Sequence, residues 1–264
     1  MSASDSKRVL VLGASGLIGA FVAADLARRG HRVTPVARHF NAAQRAQFGA
    51  SLREVPVASL DVAALATLLR EAAPDIVVNC IGLLQSRPGE EIKDAHDVFA
   101  GKLIAALQGL GRPALLVHVS IPGERGDDRT DFSTSKRQAD RQIIASALPY
   151  AILRPGFVFA PAAYGGSALL RALAALPLGL PAFEASRPFR FVAVEDVAET
   201  IAVLAERWKP EQLRRATVWD LMHPEPLTVG NVVGALRRWL GAEWPLRFTM
   251  PKFLLDLGAR AGDL

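Results

Sequence analysis

The sequence is poor in several things that would narrow its class at once. It has a single cysteine, Cys80, in 264 residues, so no intramolecular disulfide is possible. That excludes a disulfide-stapled secreted scaffold and suits a reducing, cytoplasmic setting. No cluster of His, Cys, Asp and Glu has metal-ligand spacing. Aromatic residues make up 7%, with only two tyrosines, Tyr150 and Tyr164. No apolar run is long enough to span a bilayer without a charge or a helix breaker. The longest uncharged stretches, 155–170 and 172–183, are cut by Pro161, Gly165, Gly166, Pro177 and Pro181. Repeats, low-complexity linkers and blocks of basic residues are missing too. The net charge of +5 is spread along the chain. It fits phosphate-bearing ligands or an anionic surface, and no nucleic-acid arm is present.

What the chain does have is concentrated in its first thirty residues. Arg8 to Leu12 is an apolar run of strand length that ends on Gly13. From Gly16 the period changes, and Leu17, Phe21 and Ala24 fall at helical spacing until Gly30. A buried strand, a glycine turn and a helix form the first half of a β-α-β nucleotide-binding unit. Gly13 lets the chain turn off the strand. Gly16 lets the backbone approach a pyrophosphate, and Gly19 lets the helix pack on the sheet. Ser15, Leu17 and Ile18 complete a turn whose N–H groups and helix dipole favour phosphates.

Further strands are expected at 31–36, 52–57, 76–79, 114–120, 150–153, 189–194 and 216–219. Helices are expected from Asp61 to about residue 73, at 91–110, 131–147, 167–176, 195–207 and 228–240, and after Pro251. Alternating strands and helices imply a doubly wound parallel α/β sheet of the Rossmann type. Residues 1–155 are expected to form this dinucleotide-binding core. Residues 156–264 are expected to form a smaller, interleaved substrate lobe at the carboxyl ends of the strands, where such folds bind ligands. The C-terminal segment puts Phe253, Leu254, Leu257 and Ala261 on one side. It either packs on its own domain or docks on a partner, which could be at a membrane surface.

With these elements placed, the sequence resembles the extended and atypical short-chain dehydrogenase/reductase superfamily. Its likeness is strongest to the NmrA-like proteins and the NADPH-binding accessory subunit of respiratory complex I. The resemblance rests on an ordered set of motifs: Gly13-x-x-Gly16-x-x-Gly19; Asn79-Cys80-Ile81-Gly82; His118-Val119-Ser120; Phe132-Ser133-Thr134-Ser135-Lys136; Leu153-Arg154-Pro155-Gly156; and Phe191-Val192-Ala193-Val194-Glu195-Asp196. It implies that Gly82 and Pro155 lie beside the cofactor. It also implies that Ser120 polarises a substrate oxygen and that Lys136 grips the nicotinamide ribose. A tyrosine normally passes the proton; here that position is Phe132, which has none to give. Tyr164 is the one candidate for a displaced donor.

The second strand ends Val36-Ala37-Arg38-His39 with no acid nearby. A carboxylate there would hold the ribose 2′-hydroxyl of NAD, whereas Arg38 suits the 2′-phosphate of NADP. NADP(H) is therefore expected over NAD(H). Ser59 or Asp61 could reach the adenine, although Asp61 is better used as a helix cap. Two readings of function follow. The first is a dinucleotide-binding protein with little or no dehydrogenase activity, serving redox sensing or assembly. The second is an NADPH-dependent reductase of a small carbonyl or quinone-like substrate. Sugar-nucleotide epimerisation ranks lower, since it normally needs the same tyrosine.

Overall fold

The computed structural model describes residues 6–82, 94–123, 126, 130–162, 166–179, 185–211, 216–225, 227–242 and 248–249. They divide into two compact units. Unit 1 comprises residues 1–156 and 193–221, and unit 2 comprises 157–192 and 222–264.

Unit 1 is built on a seven-stranded sheet of β1 (Arg8–Leu12), β2 (Arg32–Ala37), β3 (Arg53–Glu54), β4 (Ile76–Asn79), β5 (Leu115–Val119), β6 (Tyr150–Pro155) and one later strand, β11 (Ala216–Leu221). The spatial order is β11-β6-β5-β4-β1-β2-β3, and every pairing is parallel. The order reverses between β1 and β4, and it is outside the carboxyl ends of the strands at such a reversal that doubly wound sheets bind ligands. β1, β4 and β5 read as continuous apolar runs because helices cover both faces, and nearly every residue in them is buried. The helices are α1 (Leu17–Arg28), α2 (Ala42–Phe48), α3 (Val62–Ala72), α4 (Phe99–Gln108), α5 (Asp131–Ala145) and α7 (Val194–Arg207). One core cluster joins Leu10, Leu12 and Val77 on the sheet to Leu65, Leu69, Phe99 and Leu103 on the helices. Arg29 at the end of α1 ties to Asp25 at 2.7 Å and to Glu199 of α7.

Unit 2 contains β7 (Phe157–Phe159), α6 (Gly166–Ala175), β8 (Leu178–Gly179), β9 (Pro188–Phe189), β10 (Phe191–Ala193), β12 (Leu227–Thr228), α8 (Val229–Leu240) and β13 (Phe248–Thr249). Its strands form three two-stranded pairs, β10 with β7, β12 with β9 and β13 with β8.

The parallel α/β class is as expected, with local departures. The expected third strand at 52–57 shrinks to Arg53–Glu54, between a 3-10 turn at Gly49–Ser51 and a second, Val57–Ser59, that follows Pro56. Proline lacks the N–H a ladder needs. The expected strand at 189–194 is two strands, because Arg190 interrupts the pairing and its carbonyl accepts from Phe157 N at 2.8 Å. The helix expected from residue 91 is described from Asp94, which begins one π-turn (Asp94–Val98) before α4. Asp61 and Thr228 cap their helices as expected, accepting from Ala64 N at 2.8 Å and Asn231 N at 3.2 Å. Asn41 caps α2, a helix the sequence reading passes over. The C-terminal segment after Pro251 lies outside the described residues.

Candidate functional site

The glycine turn hangs from the neighbouring strand. Gly13 N and Ala14 N both donate to Val36 O, at 2.9 and 3.1 Å. Gly13 has φ +79°, and a Cβ there would sit 2.9 Å from Cys80 O. Gly19 is closed more tightly, since its Cβ would fall 2.3 Å from Gly13 O. Gly16 is different: its Cβ would meet only Gly13 O, at 3.3 Å, and Gly16 itself is exposed. Gly16 is also the N-cap of α1, and no side chain caps that end. Helix α1 therefore opens with N–H groups that no side chain satisfies, beside a bare exposed backbone. This is the donor set an anionic pyrophosphate fits. Ser15 is exposed, with Leu17 and Ile18 half-buried, on the same turn.

At the end of β2, Arg38 and His39 are exposed. The structure adds an acid there that the local sequence does not show. Ala37 pairs with Glu54 of β3. The Glu54 carboxylate is already engaged, accepting from Phe40 N at 2.8 Å and pairing with Arg45 at 2.7 Å. Ser59 is exposed in the short turn before Asp61, and Asp61 is committed to its cap.

The second half of the site lies at the ends of β4, β5 and β6. Lys136 is buried on α5, and its Nζ donates to Ile81 O and Val119 O, both at 3.0 Å. It thereby pins the ends of β4 and β5 together beneath Gly82, whose Cβ would stand 3.8 Å from the Lys136 Nζ. Burial pulls the Lys136 ammonium down to about 8, against the nearby Asp140 carboxylate. Asn79 fixes the same loop by accepting from Ile81 N at 3.1 Å. Its amide then donates to His118 Nδ1 at 3.1 Å, which places the proton of a neutral His118 on Nε2. Burial holds His118 well below its ordinary value.

His118 and Ser120 share one face of β5, two residues apart, and face Asp140 of α5. His118 Nε2 lies 3.9 Å from Asp140 Oδ1. Arg154 of β6 donates to the other Asp140 oxygen through Nε at 3.1 Å and Nη2 at 2.9 Å. Burial raises the Asp140 carboxyl, against the opposing pull of Ser120 and Arg154. Ser120 Oγ, His118 Nε2 and Asp140 Oδ1 are buried without a hydrogen bond of good geometry among the described residues.

Phe132 stands in the first turn of α5, behind the capping box that Thr130 and Ser133 make. Ser133 and Thr134 are turn residues with no further role in the geometry. The Phe132 ring meets the edge of His96, with centroids 5.4 Å apart at 77°. His96, on the π-turn before α4, bonds Ser135 Oγ at 2.8 Å, and Ser135 Oγ also donates to Phe132 O at 3.1 Å. Burial takes His96 down to about 3. The first turn of α5 thus presents a phenyl ring backed by a neutral imidazole.

Burial pushes the Cys80 thiol up to about 12, which keeps it protonated at neutral pH. Pro155 is buried at the end of β6, opposite Leu221. Tyr164 lies outside the described residues. The structure thus brings Ser120, Lys136 and Gly82 together at the strand ends and places the glycine turn on β1 with Arg38 on β2. Sequence reading missed His96 and the Asp140–Arg154 pair. Asp140 had one signal, its position four residues after Lys136 on the same helix face.

Residues 9–110 match the NAD dependent epimerase/dehydratase family. The dTDP-6-deoxy-L-talose 4-dehydrogenase (NAD(P)(+)) of Kitasatospora kifunensis is 33% identical over 134 residues, which is 50% of this chain and 40% of that protein. The alignment therefore spans well under half the length of that relative. Among solved structures, the UDP-glucose 4-epimerase of Thermotoga maritima with UDP-glucose superposes with a TM-score of 0.73 at 15% identity, covering 92% of this chain and 85% of that one. The UDP-glucose 4-epimerase of Thermus thermophilus with NAD gives 0.68 at 18% identity, covering 95% and 92%. At these identities the structural likeness establishes the Rossmann-like fold.

Proposed function

We propose that the chain binds a nicotinamide dinucleotide, NADP(H) in preference to NAD(H), and has little or no dehydrogenase or epimerase activity of its own. One observation carries the reading. The uncapped, bare-backbone end of α1 suits a pyrophosphate, while residue 132, where the family resemblance puts the proton-transferring phenol, is Phe.

The bound cofactor would supply a hydride-transferring nicotinamide. Gly13, Ser15, Gly16, Leu17, Ile18 and Gly19 would hold its pyrophosphate, Arg38 the 2′-phosphate and Ser59 the adenine side. Gly82, Lys136 and Pro155 would flank the nicotinamide ribose. Glu54 does not oppose a 2′-phosphate, because Arg45 and Phe40 N already neutralise it. Ser120 could polarise a substrate oxygen, but no group at residue 132 can exchange its proton. The relatives named for dTDP- and UDP-sugars would share the dinucleotide half of this site. A redox-sensing or assembly role of the kind the NmrA-like and complex I resemblance implies needs that half and not the proton donor.

Fluorescence titration tests the cofactor claim. The expected result is tighter binding of NADPH than of NADH, with most of the difference lost in Arg38→Ala. Equal affinities in the native chain would sink the preference.

A further inference from the structure

Unit 2 contains a cavity of about 700 Å³ between the aromatic strand pair and helix α8. Phe159 and Phe191 form one wall, edge to face with centroids 5.8 Å apart at 85°. Gly234 and Trp239 line the helix side next to Leu227 of β12, with Arg238 among the lining residues. Its size is that of a pocket for a small organic molecule.

The helix is locally strong. It has a capping box at Thr228 and Asn231, buried Val232 and Val233, and a C-terminal stop at Gly241 with φ +66°. Two glycines in its interior cut against that, since glycine is a much poorer helix former than alanine. Gly230 has a packing reason, because a Cβ there would lie 2.8 Å from Ala185 O. Gly234 has none. The nearest atom to its Cβ would be Arg238 Nη1, at 3.8 Å. The helix therefore gives up propensity at Gly234 to leave space, and the space faces the cavity. Trp239 is 73% exposed, a large apolar ring kept in water at the same site. Arg238 lies one helical turn from Gly234 and sets a cation at the rim; no described carboxylate pairs with it.

We propose that unit 2 has a second binding site, for an aromatic organic anion, whose ring lies over Gly234 against Phe159 and Phe191 and whose acidic group meets Arg238. An aromatic guest suits the two phenyl rings and the indole, which favour edge-to-face and offset contacts. A charged group suits the guanidinium, which also stacks on planar ligands. The proposal is independent of the dinucleotide reading.

The test uses two probes on the whole chain with NADPH saturating, so that neither probe reports on a dinucleotide site. One probe is the anion 1-anilinonaphthalene-8-sulfonate, and the other is neutral N-phenyl-1-naphthylamine. Both should bind saturably at one site. Gly234→Leu should weaken both by about tenfold or more by filling the cavity, while Gly234→Ala changes neither much. Arg238→Gln should weaken the sulfonate severalfold and leave the neutral probe unchanged. Gly234→Leu should melt no lower than the native chain, because leucine is the better helix former. Probe binding that is absent, or indifferent to Gly234→Leu, overturns the site. Equal effects of Arg238→Gln on both probes overturn the anionic ligand.

Discussion

Replacing Phe132 by tyrosine would put a phenolic proton back beside Lys136 without asking the first turn of α5 to change, since that turn is held by Thr130 and Ser133. A positioned acid typically contributes a factor of about 10² to 10⁴. Phe132→Tyr is thus expected to raise NADPH-dependent turnover of a carbonyl panel at least about tenfold over the native chain. An unchanged rate in a variant that still binds NADPH would mean that Lys136 and Ser120 are not disposed for hydride chemistry at all. The buried histidines make a separate prediction. His96 and His118 stay neutral in the folded chain at pH values where the unfolded chain would protonate them. Below about pH 6.5 the unfolded state therefore takes up protons that the folded state refuses. Stability should fall as pH drops from there, by up to about 1.4 kcal/mol per pH unit for each histidine. His118→Gln should flatten that acid slope in thermal melts, and a slope identical to the native one would contradict the assignment. Positions were legible where a motif fixes them, as with Lys136 and Ser120, both buried at the end of β5. They were not legible for His96, whose meeting with Ser135 depends on how the π-turn before α4 approaches α5.

Among elements, the glycine turn separates packing from ligand approach. Gly19→Ala drives a Cβ to 2.3 Å from Gly13 O and should destabilise the fold by about 1–3 kcal/mol. Gly16→Ala brings its Cβ only to 3.3 Å from the same oxygen. It should melt within about 1 kcal/mol of native and weaken NADPH binding about tenfold or more, because the new methyl stands where the backbone would meet the pyrophosphate. Melting curves and titrations on the two variants check this, and reversed effects would remove Gly16 from the cofactor site. The strands β1, β4 and β5 were readable because burial on both faces writes an unbroken apolar run. The third strand and the split at Arg190 were not, because two- and three-residue strands carry no period.

For the whole molecule, the chain leaves unit 1 at residue 156 and returns at 193. What returns is structural. β11 extends the sheet beside β6, and α7 buries Val194, Val197, Ile201 and Leu204, with Trp208 1% exposed at its end. A chain cut after Gly156 should therefore lack a cooperative melt by circular dichroism, and a sharp transition in it would show that 193–221 is dispensable. The order of strands and helices let the parallel sheet be read from sequence, but the pairing of β11 with β6 could not be, since it joins segments some sixty residues apart. Among the described residues no helix is long and apolar enough to cross a membrane.

Whether the dinucleotide is held without being used can be read from nicotinamide absorbance in the NADPH-saturated native chain against a panel of carbonyls, quinones and sugar nucleotides. The expected result is oxidation no faster than in buffer for every member of the panel. Substrate-dependent oxidation by the native chain, lost in Tyr164→Phe, would contradict the claim and identify a reductase with a displaced proton donor.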